Sequence, residues 1–144
     1  MAIDRDSDSL TERLVNAFWQ FWQQWRQAAH PVRKGKITPE QYWLLKRLKR
    51  TGPANVSDLA EGLGITNSSV TAATKRLEKM GLVARRRKIE DERVVEVSLT
   101  EAGQAVLEQW ASEKRQAMAA LLAPLSLEDR ALLLELLKKL LKRV

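Results

Sequence analysis

Residues 66–88, Thr66-Asn67-Ser68-Ser69-Val70-Thr71-Ala72-Ala73-Thr74-Lys75-Arg76-Leu77-Glu78-Lys79-Met80-Gly81-Leu82-Val83-Ala84-Arg85-Arg86-Arg87-Lys88, change period part-way along. Val70, Ala73, Thr74 and Leu77 fall within a narrow arc of a helix that starts at Thr66 and is stopped by Gly81. From Leu82 the spacing becomes strand-like. Leu82–Lys88 and Val94–Leu99 are short β-rich runs separated by Ile89-Glu90-Asp91-Glu92-Arg93, which predicts a hairpin. A helix followed at once by a cationic hairpin is the decisive pattern in this chain.

Working towards the N-terminus, Ser57 can cap a short helix through Gly62, with Leu59 and Leu63 on one side, before Gly64-Ile65 turns into Thr66. Two short helices joined by a glycine-containing turn and apolar on facing sides make a helix-turn-helix. Thr38-Pro39-Glu40-Gln41 supplies an N-cap, a proline at the first helical position and a capping glutamine, so a helix is expected from about Pro39 to Arg50, ended by Gly52-Pro53. His30 to Lys36, with Pro31 and Gly35, reads as a loop. Ahead of it, Ser9-Leu10-Thr11-Glu12 has the form of a capping box, and Leu10, Leu14, Phe18, Phe21, Trp22 and Trp25 continue at helical spacing towards Ala29. Beyond the hairpin, Thr100 caps a long helix to about Leu122, Pro124 breaks it, and Ser126 opens a last helix with Asp129 three residues on. The expected fold class is mainly α with a small β-hairpin.

At 144 residues and 44% hydrophobic content, one domain with a real core is expected over 1–144. The net charge of +7 is uneven: residues 31–55 carry seven Lys/Arg against one acid, and residues 67–93 carry eight against four. Two cationic blocks imply a polyanionic partner, with double-stranded nucleic acid ahead of an anionic membrane; a solvated surface is the competing explanation. The chain has no cysteine, which excludes disulfides, thiolate zinc sites and thiol-based sensing. His30 is the only histidine and reads as a surface or helix-end residue, so no metal and no cofactor are expected. No apolar run approaches the ~20 residues of a membrane span, and the acidic start, Asp4, Asp6 and Asp8, is unlike a signal peptide. A cytoplasmic location without membrane contact fits best.

With Val70 and Leu77 turned to the core, Ser68, Ala72, Lys75 and Lys79 point away, flanked by Ser69, Thr71 and Arg76. Such a helix suits a major groove ~12 Å wide, its first residues at base edges and its cations at phosphates. Arg76 and Lys75 are the strong candidate base readers, Arg76 by bidentate guanine recognition, while Ala72 offers only a methyl, fit for a thymine methyl. A plain amphipathic helix is the competing reading. In the hairpin, Asp91 and Arg93 share one face of an extended segment, so the carboxylate can bond Arg93 or reach back to Arg85 across the turn, fixing a guanidinium at the tip. Arg86, Arg87 and Lys88 are then candidate phosphate contacts.

Ile37-Thr38-Pro39-Glu40-Gln41-Tyr42-Trp43-Leu44-Leu45, the Leu59-Ala60 pair, Leu77-Glu78-Lys79-Met80-Gly81-Leu82-Val83-Ala84-Arg85, and Asp91-x-Arg93 followed by Leu99-Thr100-x-x-Gly103 resemble the multiple antibiotic resistance regulator (MarR) family. The match spans roughly residues 37 to 103, five pieces in the right order. The resemblance implies a winged helix-turn-helix homodimer that binds pseudopalindromic operators, usually as a repressor, and is often released by small anionic or phenolic ligands. By position it implies Ser68, Ser69, Thr71, Lys75 and Arg76 as recognition-helix contacts and Arg93 as a wing-tip contact braced by Asp91. Ala72 stands where members often carry a longer polar side chain. On this reading residues 37–99 are the DNA-binding part, and 9–30 and 100–144 are dimerisation helices.

The last helix carries Leu133, Leu137, Leu140 and Val144 on one seam with Leu132, Leu134, Leu136 and Leu141 beside it, too much apolar surface for one flank of a small domain. Two-fold pairing of the terminal helices would cover it and set two recognition helices about one duplex turn, ~34 Å, apart. A membrane-surface helix using Lys138, Lys139, Lys142 and Arg143 is the alternative. Of the five tryptophans, Trp19, Trp22 and Trp25 fall on the first helix, with Trp43 and Trp110 elsewhere. An aromatic cleft with Trp22 and Trp43, and Arg26 or Arg33 as counter-charge, would hold a small aromatic anion; core and dimer packing is the competing use of the rings. No nucleophile–base pair or phosphate loop supports an enzyme, and a protein- or RNA-binding winged helix has little need of both cationic surfaces.

Overall fold

The computed structural model describes residues 2–142, with side chains from residue 6; Arg143 and Val144, which the sequence reading adds to the last helix, lie outside the described residues. Among the described residues the elements are α1 (Ala2–Ala29), α2 (Pro39–Thr51), β1 (Ala54–Asn55), α3 (Val56–Leu63), α4 (Asn67–Lys79), β2 (Val83–Arg87), β3 (Val95–Leu99), α5 (Glu101–Leu122) and α6 (Leu127–Leu141). They cluster into two compact units, Met1–Ala29 with Glu113–Val144, and His30–Ser112.

The core of the second unit is built from apolar residues at helical spacing meeting alternate residues of a sheet. Leu44, Leu45 and Leu48 of α2, Leu59 of α3, Val70 and Leu77 of α4, Val83 and Val97 of the sheet, and Leu107 and Trp110 of α5 are all buried. Each such side chain contributes about 1.5–3 kcal/mol by leaving water. The expected capping box opens α2: Thr38 Oγ1 accepts the N–H of Gln41 and Gln41 Oε1 accepts the N–H of Thr38, both at 3.2 Å.

The sheet is three-stranded and antiparallel in the order β1-β3-β2, where the sequence predicted a two-stranded hairpin. The added edge is Ala54–Asn55, pairing with Val97 and Glu96. Two residues carry no readable alternation, and only the partner strand makes them a strand. Because β1 runs straight into α3, the N-cap is Asn55 and not Ser57, and no side-chain cap bond forms there. At the other end of α3, Gly64 takes the left-handed conformation (φ 69°), letting the Ile65 N–H return to the Ala60 carbonyl at 3.1 Å. That turn aims α4.

The hairpin is tied down at its base by Thr100. Its hydroxyl donates to the Gly81 carbonyl at 2.6 Å and accepts the Gly103 N–H at 3.0 Å, while its own N–H donates to the Leu82 carbonyl at 3.1 Å. Gly103 is packed so tightly that a β-carbon there would overlap the Leu82 carbonyl oxygen.

In the first unit, α1 starts at Ala2 rather than at Ser9. Thr11 Oγ1 donates to the Ser7 carbonyl at 2.9 Å, an i−4 bond of a helix interior, so the Ser9–Glu12 motif lies mid-helix. No proline or glycine interrupts residues 2–8, so nothing in the chain stops the helix from extending back through them. Trp25 Nε1 donates to the Lys114 carbonyl at 3.1 Å, and Ser126 caps α6 by accepting the Asp129 N–H at 3.1 Å, as expected. None of the described residues of α6 is buried; Leu133 and Leu137 are half-buried and the flanking leucines are exposed. On α1, Leu10, Leu14, Phe18 and Trp22 are exposed at four-residue spacing, with Val15 and Trp19 beside them. Among the described residues no helix is long and apolar enough to cross a membrane.

Candidate nucleic-acid interface

Thr66 caps α4. Its Oγ1 accepts the Ser69 N–H at 3.2 Å and lies 3.1 Å from Ser68 Oγ and 2.9 Å from Ser69 Oγ. Three hydroxyls therefore cluster at the exposed N-terminal turn of α4, where free N–H groups and the helix dipole favour an anion. The inward stripe Val70, Thr74 and Leu77 is buried, and Thr74 is satisfied by donating to the Val70 carbonyl at 2.8 Å. That burial leaves Ser68, Ser69, Ala72, Lys75, Arg76 and Lys79 exposed, as the periodicity predicts, with Thr71 half-buried at their edge. Arg76, Ser69 and Ala72 share a groove of about 310 Å³ with Thr38, Glu40 and Gln41 from the start of α2. Sequence reading passed over Asn67, whose Nδ2 donates to Ser57 Oγ at 3.3 Å and links the first turns of α3 and α4. Its place in the first helical turn is the signal that could have found it.

In the wing, β2 and β3 pair from Val83 with Leu99 to Arg87 with Val95. The loop beyond is closed by the Lys88 N–H to the Val94 carbonyl at 2.9 Å and the Val94 N–H to the Asp91 carbonyl at 3.0 Å. Arg86, Arg87, Asp91 and Arg93 are exposed and Lys88 is half-buried.

The expected brace takes a different form. Asp91 Oδ1 accepts the backbone N–H of Arg93 at 3.0 Å, in place of a bond to its guanidinium, because a carboxylate two residues ahead meets the amide of a turn before it meets the end of a long side chain. It does not reach Arg85 either: the Arg85 N–H donates to Glu78 Oε2 at 3.1 Å, and its Nε is buried without a hydrogen-bond partner. Arg87 Nη1 donates to the Glu92 carbonyl at 2.9 Å, and Lys88 Nζ lies 3.9 Å from Glu96 Oε2. Of the cationic run Arg86-Arg87-Lys88, two members thus have partners inside the hairpin and Arg86 faces outward. Ile89, unnoticed in the sequence, is wholly exposed at the tip. An apolar side chain there has the chemistry of a minor-groove wedge.

The three residues singled out for an aromatic ligand fall in both units. Trp22 and Arg26 lie in the first, with the guanidinium 5.8 Å from the ring centroid. Trp43 lies in the second beneath Arg47 at 5.9 Å, and lines a groove of about 480 Å³ with Lys46, Lys49 and Arg50.

The MarR family profile matches residues 37–95, from the start of α2 into β3. The chain is 35% identical over 98 residues to the transcriptional repressor MdtR of Bacillus subtilis, an alignment covering 68% of this chain and 63% of the repressor. It thus spans a little under two thirds of that relative's length. Similarity to the homoprotocatechuate degradative operon repressor of Escherichia coli is more extensive: 31% identity over 137 residues, 92% of this chain and 87% of the repressor. The crystal structure of the YusO protein from Bacillus subtilis superposes with a TM-score of 0.78 at 28% identity, covering 98% of each chain. The helix-turn-helix, the wing between β2 and β3, and these likenesses agree, and the chain belongs to the MarR family.

Proposed function

We propose that this protein is a cytoplasmic, sequence-specific DNA-binding transcriptional regulator, acting as a homodimeric repressor at a pseudopalindromic operator. The observation that carries the reading is the joint exposure of Ser68, Ser69, Lys75 and Arg76 on α4 and of Arg86 and Arg93 on the wing. A helix with short polar residues at its start and cations beyond suits a major groove, and a wing arginine suits the flanking minor groove. Like the Bacillus subtilis and Escherichia coli relatives named as repressors, the chain acts on this reading by occupying an operator. Dimer formation is supported by the exposed leucines of α6 and the aromatic stripe of α1, which a second copy would cover.

Selection of bound sites from random duplex DNA tests this directly. A recovered palindrome with half-sites about one turn apart is the expected result, with affinity falling at a log–log salt slope near −0.9 per phosphate neutralised. Salt-independent binding, or binding with no recovered sequence, overturns it.

Release by a small aromatic or anionic ligand is the second part of the reading. It is supported by two indoles, Trp22 and Trp43, each beside a guanidinium. Titration with aromatic carboxylates should quench tryptophan fluorescence saturably; a flat response across a panel removes this part alone.

A further inference from the structure

The peptide bond between Glu92 and Arg93 is gripped at both of its polar ends. Its N–H donates to Asp91 Oδ1 at 3.0 Å, and its carbonyl accepts from Arg87 Nη1 at 2.9 Å. A peptide group is a dipole, positive at N–H and negative at C=O. An anion on the first end and a cation on the second orient it in the same sense, and both bonds are charge-assisted.

We propose that Arg87 is a positioning residue for Arg93: by fixing the plane of the 92–93 peptide it sets the direction in which the Arg93 side chain leaves the wing. The proposal rests on the reading of the wing as a DNA contact. It removes Arg87 from the phosphate contacts expected of the cationic run and gives it a role inside the protein.

Strand register explains why Arg87 takes this role. Along β2, Val83 and Arg87 share a face, and Arg87, the last strand residue, stands opposite Val95 at the mouth of the loop. From there a long side chain spans the hairpin to Glu92. Arg86 stands on the other face, opposite Glu96, and Lys88 lies 3.9 Å from that same carboxylate. Neither reaches the 92–93 peptide. Arg93 needs such support because an exposed arginine on a turn is otherwise free to lose its direction, and ordering it on binding weakens affinity.

Binding of wild type, Arg87→Ala, Arg93→Ala and the double variant to the selected operator, measured by fluorescence anisotropy over a salt series, tests the assignment. Arg87→Ala is expected to weaken binding about 5- to 10-fold, the size of effect expected from having to order one long side chain on binding. In the Arg93→Ala background the same change is expected to have an effect under about twofold, because Arg87 acts through Arg93. Additive losses, with Arg87→Ala lowering the salt slope by about 0.9 in the Arg93→Ala background, would mean that Arg87 itself meets a phosphate and would overturn the proposal.

A second measurement needs no DNA. In ¹⁵N relaxation of the free protein, Arg87→Ala is expected to loosen the amides of 90–94 while Arg86→Ala leaves them as in wild type. Unchanged order in Arg87→Ala overturns the proposal. An Arg93→Ala protein that binds the operator like wild type removes the wing reading and the proposal with it. Loosened amides in Arg87→Ala would then distinguish that outcome from an error about Arg87 alone.

Discussion

Gly103, in the first turn of α5, lies against the Leu82 carbonyl at the start of the wing, with no room between them for a β-carbon. The Leu99 Cδ1 would also stand 2.7 Å from such an atom. Since the obstructing oxygen belongs to the backbone and already accepts the Thr100 N–H, it cannot swing aside. Gly103→Ala is therefore expected to destabilise the protein by about 1–3 kcal/mol, despite alanine's better helix propensity. Urea unfolding would show it as a lower midpoint; a midpoint at or above wild type contradicts this packing.

Thr66 contributes a different kind of stability. Replacing it with alanine removes the acceptor for the Ser69 N–H, and loss of such a cap costs about 1 kcal/mol. Because the same oxygen gathers Ser68 and Ser69, operator affinity should fall with stability. Thr66→Ser, which keeps the oxygen, should restore both; a serine variant as weak as alanine would count against the cap.

Arg93→Ala should weaken binding to all duplexes to a similar degree, since a wing-tip cation meets the backbone and the narrow groove rather than one base. Arg76→Ala should instead cost about 1–3 kcal/mol on the selected operator and relax preference at one or two positions. Binding-site selection with each variant separates them. A base preference left unchanged by Arg76→Ala would place Arg76 outside the groove.

The exposed stripe on α1 predicts the assembly. Leu14→Glu combined with Phe18→Glu puts two charges where a second copy is expected to pack, which should convert a dimer into a monomer in sedimentation and weaken operator binding more than about tenfold. Wild type sedimenting as a monomer at micromolar concentration defeats this prediction outright.

Elements whose signals were local and redundant were legible from sequence. Thr38 and Gln41 both mark the start of α2, and Gly64 and the Val70–Leu77 stripe agree about the turn and α4. Where a motif had two possible contexts, local reading failed: Ser9-Leu10-Thr11-Glu12 fits a helix start and a helix interior equally, and only the unbroken residues before it decide. β1 was invisible because Ala54–Asn55 becomes a strand through Val97 and Glu96, about forty residues away. At the site, the outward face of α4 followed from its buried face. The Asp91–Arg93 pairing was visible too, but its bonding partner was not, since spacing tells which residues are near and not whether side chain or backbone arrives first.

The bare leucines of α6 bear on how the protein would be regulated in the cell. With no buried residue of its own, that helix draws its stability from whatever covers it, so on the homodimer reading folding of the first unit is linked to protein concentration. At low abundance the dimer population, and hence operator occupancy, rises with the square of the monomer concentration. A halving of synthesis would then cut occupancy about fourfold, and modest changes in gene dosage would act on the controlled promoter much as a ligand does.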